Sequence, residues 1–199
     1  MTTKIGIILG TTRTNSLGAR IFKYLQATLS ATDVELTFID LHDYPLPFYD
    51  HEETPLSQPI QHLDSVEQQW LDVLSAQAGY LILSPEYDHA ITGSLKNALD
   101  FVGPEVDHKP VQIVTYSHYT DGGMLAASSL VGILQMLKMM VLPTPVLLWE
   151  ADQDFDVNGQ LLPAAPNRDH FATRLQAAFA ELVHYASLMQ AHPWRPGRA

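Results

Sequence analysis

Residues Ile5 to Leu9 read IGIIL, an apolar and largely β-branched run closed by Gly10. A strand with one wet face alternates apolar and polar residues. An unbroken run demands burial on both faces, which is the situation of a parallel sheet covered by helices. Helical spacing follows at once. Leu17, Ile21, Tyr24, Leu25 and Leu29 recur every three or four residues behind Ser16, a favourable N-cap. The chain then repeats this arrangement. Further strands are predicted from Val34 to Ile39, Tyr80 to Leu83, Val111 to Tyr116 and near Val146 to Trp149. Further helices are predicted from Val66 to Ala78, after Gly93, from about Met124 to Met139 and from about Arg168 to Met189.

Strict alternation of strand and helix predicts an α/β fold, because right-handed crossovers lay each helix against one face of a parallel sheet. Five strands point to a doubly wound sheet of flavodoxin-like order, 2-1-3-4-5, with helices on both faces. The chain of 199 residues with 46% hydrophobic content suits one such domain, read as residues 1–190, with 191–199 as a C-terminal tail. The stretch LHDYPLPFYDHEETPLSQP is too polar and proline-rich for a strand and reads as a long surface loop.

Charge and composition remove several function classes. Eleven Lys plus Arg against 22 Asp plus Glu give a formal net charge of −11, so neither nucleic acid nor an anionic membrane is an expected partner, and any bound anion must be held locally. The absence of cysteine excludes thiolate catalysis, disulfides and Cys-ligated metals. Nine histidines are scattered without HExxH or a comparable pair on one helical face, so no metal site is expected. The N-terminal apolar run is short and lacks a signal-peptide layout, which gives a soluble, cytoplasmic protein as the expectation.

Two loops carry the chemistry. The first, GTTRTNSLGARI from Gly10, sets hydroxyls and Arg13 at a helix N-terminus, where free N–H groups and a guanidinium fork suit a phosphate. It has neither GxGxxG nor GK[ST], so a monophosphate is the expected guest; the same residues also suit an ordinary capped helix with a solvated Arg. The second, SPEYDHAITGSLKNALDF from Ser84, puts rigid Pro85 and aromatic Tyr87 where a buried strand meets a helix. In the 2-1-3-4-5 order both loops leave the same sheet edge at the topological switch point. Pro85 then leaves the N–H groups of Glu86, Tyr87 and Asp88 for the rim of a flat heteroaromatic ring, with a tight turn before a capped helix as the alternative. The apolar run LVGILQMLKMMVL, with Met136, Met139 and Met140, reads as core or as a surface for a partner subunit.

GTTRTNS, LPFYD and SPEYDHAITGSLKNALDF together resemble the NAD(P)H-dependent FMN reductases, whose flavodoxin-like domain carries G-S-x-R-x-x-S and P-E-Y-N-x-S-x-P-G-x-L-K-N-A-x-D segments. The resemblance runs over nearly the full length. It implies that Thr11, Arg13, Ser16, Leu17 and Gly18 surround the FMN phosphate, that Pro85, Glu86, Tyr87 and Asp88 line the isoalloxazine, and that Ser117 touches its far side. It also implies hydride transfer from NADPH or NADH to FMN and on to a quinone, free flavin, azo compound or similar small acceptor, in a homodimer or dimer of dimers. The cofactor supplies the chemistry, so no side chain is named as catalytic acid or base. A flavin-binding electron carrier or sensor without turnover is the alternative. Four departures stand out: Thr11 for serine, Gly18 where asparagine is common, Asp88 for asparagine, and Tyr119 where glycine is usual. Gly18 leaves one phosphate-end side chain missing, and Tyr119 adds bulk over the pocket.

Overall fold

The computed structural model describes residues 2–195. The strands are β1 (Thr3–Leu9), β2 (Val34–Asp40), β3 (Gly79–Pro85), β4 (Pro110–Tyr116), β5 (Met140–Val141) and β6 (Val146–Leu148). The helices are α1 (Leu17–Thr28), α2 (Ser65–Ser75), α3 (Gly93–Asp100), α4 (Met124–Met136) and α5 (Arg168–Ala191). All strand pairs are parallel in the order β2-β1-β3-β4-β5, with β6 also on β4, so the expected 2-1-3-4-5 topology holds.

The period-two geometry of a strand divides the core. Ile5, Ile7, Leu81, Leu83, Val114 and Tyr116 face α1 and α5, while Ile8, Tyr80, Ile82, Val111 and Ile113 face α2, α3 and α4. Every residue of β3 and β4 is buried, which accounts for the apolar run YLIL in β3; β4 also buries Gln112 and Thr115, whose side chains donate to backbone carbonyls.

Two element readings need correction. The helix expected to reach about Met139 stops at Met136. Lys138 takes a left-handed φ of 55°, its N–H donates to Gln135 O at 2.9 Å, and the Met139 N–H donates to Leu134 O at 3.0 Å. This is the paired closure of a Schellman end, formed here without glycine. Consequently Met139 is buried, Met140 enters β5, and of the three methionines only Met136 is strongly exposed. The strand expected near Val146 to Trp149 is β6, but a further short strand, β5, precedes it on β4, separated from it by Pro143 and Pro145, which cannot donate to a ladder.

The long loop from 41 to 64 is anchored to both neighbouring helices. Asn97 of α3 accepts from the Tyr49 N–H at 3.0 Å and donates to Pro47 O at 2.7 Å. Glu67 of α2 accepts from the Asp64 N–H at 2.7 Å and meets His51 Nε2 at 3.1 Å. At the other end, α5 runs to Ala191, past the expected start of the tail, and Trp194 stacks on His108 with ring centroids 4.2 Å apart. Residues 196–199 of that tail lie outside the described residues. Among the described residues no helix is long and apolar enough to cross a membrane.

Candidate cofactor site

Leu9 of β1 pairs in register with Leu83 of β3, so the loops that follow start side by side on one sheet edge. They then part, one chain passing to α1 on one face and the other to α3 on the opposite face, which opens a crevice at the switch point. Two contacts lock the loops together. The Gly10 N–H donates to Leu83 O at 2.8 Å, and buried Thr92, the N-cap of α3, donates its hydroxyl to Gly10 O at 2.7 Å while accepting from the Leu95 N–H at 3.0 Å. Gly10 is required by this approach, since a Cβ there would lie 2.8 Å from Leu95 Cδ2.

In the first loop Ser16 caps α1, its Oγ accepting from the Ala19 N–H at 3.1 Å. Thr11 is buried and its Oγ1 accepts from the Arg13 N–H at 3.3 Å. Arg13 reaches across the crevice, donating from Nη1 to the Tyr87 hydroxyl at 3.3 Å; that bond raises the guanidinium pKa further, so it stays cationic.

The second loop differs from expectation in its backbone. The Glu86 N–H donates to Tyr116 O at 3.3 Å, and the Tyr87 N–H donates to Ala90 O at 2.9 Å, answered by the Ala90 N–H to Tyr87 O at 3.0 Å. Asp88 and His89 both have positive φ, 47° and 65°. Residues 87–90 are therefore a two-residue hairpin turn with both central residues left-handed; the Tyr87 N–H is used within it and the Glu86 N–H by β4, so neither is left for a ligand. Asp88 is exposed on the turn and does not cap α3, whose cap is Thr92. The Glu86 carboxylate turns to α4, accepting from the Leu125 and Ala126 N–H groups at 2.9 and 3.0 Å. It complements the positive end of that helix, whose own N-cap, Gly123, has no side chain to do so.

A third loop closes the site. Ser117 hydrogen-bonds Asp121 Oδ1 through its hydroxyl at 2.6 Å, and the Gly123 N–H donates to the same oxygen at 3.2 Å. Ser117 chiefly, then Gly123, holds the Asp121 carboxyl below the usual carboxylate range. His118 Nδ1 lies 3.2 Å from Asp152 Oδ1.

These loops enclose a cavity of about 710 Å³, within the usual range for a small-molecule site. Arg13, Ser16, Leu17, Pro85, Glu86, Tyr87, Asp88 and Ser117 all line it, as expected. Thr11 and Gly18 do not: Thr11 supports the loop from beneath, and Gly18 is buried against Tyr116. Asn15, Arg20, Tyr116, Asp121 and Asp152 join the lining without having been anticipated. Arg20 was within reach of the sequence, four residues beyond Ser16 on one helical face. Tyr116 reads as strand core, and Asp152 lies too far along the chain to be placed by any local pattern. Charge is divided within the cavity. Arg13 and Arg20 come from the α1 side, Glu86 and Asp88 from the loop after β3, Asp121 from the loop after β4, and Asp152 from the turn after β6.

A family model for NADPH-dependent FMN reductase matches residues 3–154, which hold all three loops. The chain belongs to the NADPH-dependent FMN reductase family. An NAD(P)H-dependent FMN reductase, ntnL, from Nectria sp is 32% identical over 151 residues, covering 73% of this chain and 74% of that one. A second, C4B3.06c of Schizosaccharomyces pombe, is 29% identical over 197 residues, covering 98% and 94%. Other relatives are named a 2-hydroxy-1,4-benzoquinone reductase, from Burkholderia sp, and an FMN-dependent NADPH-azoreductase, from Staphylococcus aureus. Among solved structures, the flavoenzyme NAD(P)H:(acceptor) oxidoreductase FerB from Paracoccus denitrificans superposes with a TM-score of 0.75 at 21% identity, covering 94% of this chain and 98% of its own, which supports the fold.

An FMN reductase needs a cationic, donor-rich pocket for a phosphate at one end and a flat, edged slot for a ring at the other. The residues present fit that division. The N-terminus of α1 with Arg13 and Arg20 forms the first, and the Pro85–Asp88 segment with Tyr87 and Tyr119 borders the second.

Proposed function

We propose that this chain binds FMN in the cavity between the β1, β3 and β4 loops and uses it to carry reducing equivalents from NADPH or NADH to a small acceptor of the quinone, flavin or azo class. The observation that carries the reading is the convergence of both sequence motifs on one cavity, with Arg13 bridging to Tyr87. When bound, the flavin supplies a ring that accepts and returns a hydride. The chain's part is placement. Arg13, the Ser16 hydroxyl and the positive N-terminal end of α1 hold the phosphate, and the Tyr87–Ala90 hairpin fixes the edge against which the ring lies. Tyr119, 77% exposed, stands at the mouth and limits the shape of the second substrate. The names of the quinone- and azo-reducing relatives support the acceptor class. The rest of the reading is a single domain over 1–190, assembled as a homodimer or dimer of dimers in the cytoplasm, without nucleic-acid or membrane partners in keeping with its charge of −11.

The test is direct. Protein reconstituted with FMN is mixed with NADPH or NADH without oxygen, and the flavin absorbance is followed before and after addition of a benzoquinone. Bleaching followed by reoxidation with turnover is expected. Bound flavin that neither nucleotide bleaches supports a carrier or sensor instead, and failure to bind FMN rejects the reading.

A further inference from the structure

Gly18 leaves the phosphate end without the side chain common in the resembling family, yet the space is filled. A Cβ built on Gly18 would overlap the Tyr116 hydroxyl oxygen and lie 2.9 Å from Tyr116 Cζ. Tyr116, the last residue of β4, thus threads its phenol beneath the first turn of α1. The residue is 4% exposed and lines the cofactor cavity. The Gly18 N–H faces its oxygen, and Arg13 and Tyr87 lie close enough to act on its charge. Among the described residues the Tyr116 hydroxyl donates to no acceptor, which leaves its proton for a group in the cavity that it lines. Burial, more than any neighbour, raises the phenol pKa, so the group is a neutral donor at physiological pH.

We propose that the Tyr116 hydroxyl donates to a phosphate oxygen of FMN, taking the place left by the missing side chain at position 18. The inference rests on FMN occupying the cavity as argued above. The geometry accounts for both departures at once: glycine at 18 makes room for the phenol, and the phenol returns a donor to the helix N-terminus, where a dianion is best held. A donor at this place contributes to recognition of the phosphate and little to recognition of the ring.

Titration of flavin-free protein with FMN and with riboflavin, which lacks the phosphate, separates the two. Tyr116→Phe keeps the ring that packs in the core and removes only the hydroxyl. FMN affinity is expected to fall about tenfold while riboflavin affinity is unchanged, with the thermal midpoint of the flavin-free protein close to that of the parent. Gly18→Asn alone is expected to lose FMN affinity through collision with Tyr116, and Gly18→Asn combined with Tyr116→Ala to regain part of it. The proposal is overturned if the parent binds FMN and Tyr116→Phe leaves that affinity unchanged, or weakens FMN and riboflavin equally. A parent chain that binds no FMN overturns the cofactor reading itself, and this one with it.

Discussion

At the scale of single residues the site depends on side chains that hold loops as much as on those that face the cavity. Thr92 is the clearest case. One hydroxyl caps α3 and pins Gly10 of the facing loop. Thr92→Ala removes both bonds, so a loss of about 1–2 kcal/mol in urea unfolding is expected together with weaker FMN binding; unchanged stability would refute the double role. Asp88 is a different case. Its φ of 47° explains the residue type, because Asp, like Asn, accepts left-handed backbone. Asp88→Asn therefore keeps the turn and removes only a charge on the rim. At a solvent-screened separation of several ångströms the two-electron midpoint potential should rise on the order of 20 mV, and redox titration showing a shift below about 5 mV would reject any electrostatic influence on the ring. The sequence made the cavity-facing residues of the first two loops legible, because a hydroxyl-and-Arg helix start and a Pro-Glu-Tyr strand end are local patterns. It did not show that the Tyr87 N–H closes a hairpin, that the Glu86 N–H bonds the Tyr116 carbonyl of β4, or that the Glu86 carboxylate serves α4, since no local pattern fixes these contacts.

At the scale of elements, reading succeeded where burial was two-sided and failed where a chain reversal was made without its usual residue. The apolar runs of β1 and β3 left no competing assignment. The end of α4 was hidden because Lys138, not glycine, takes the left-handed turn, and the apolar KMMVL continued past it. The loop from Ser117 to Gly123 carries a testable consequence of its own. Its Asp121 carboxylate is hydrogen-bonded by Ser117 and Gly123, which depresses its pKa in the folded chain. A depressed carboxyl contributes stability that is present above its unfolded pKa and lost as pH falls through the folded value. Acidification from pH 5 toward 3 should therefore loosen this wall of the cavity and release flavin. In Asp121→Asn the loop is weakened at neutral pH already, and flavin retention should show a shallower dependence over the same interval. Identical acid-release curves for parent and variant would contradict the assignment.

At the scale of the whole molecule the apolar surface is uneven. Phe48 is 88% exposed in the loop anchored to α3, and Met124, Leu125 and Met136 are exposed along α4. Phe48 also lines an apolar groove of about 380 Å³ with Tyr44, Leu46 and Ala98, which reaches Thr12 in the first loop. Scattered exposed apolar side chains need no partner, but Phe48, Met124 and Leu125 flank the same edge of the sheet as the cofactor cavity, with Met136 at the far end of α4: the α4 N-terminus is held by Glu86, and the groove touches the first loop. A two-fold partner seated on this edge would cover the apolar residues and narrow the mouth of the cavity together, and isologous pairing is the commonest soluble assembly. Light scattering at micromolar concentration should accordingly give about twice the 22.1 kDa chain mass. Phe48→Ser with Met124→Ser should shift the equilibrium toward monomer and weaken FMN retention in the same samples. A parent chain that scatters as a monomer rejects the dimer, and a variant that dissociates with flavin retention unchanged separates assembly from the site.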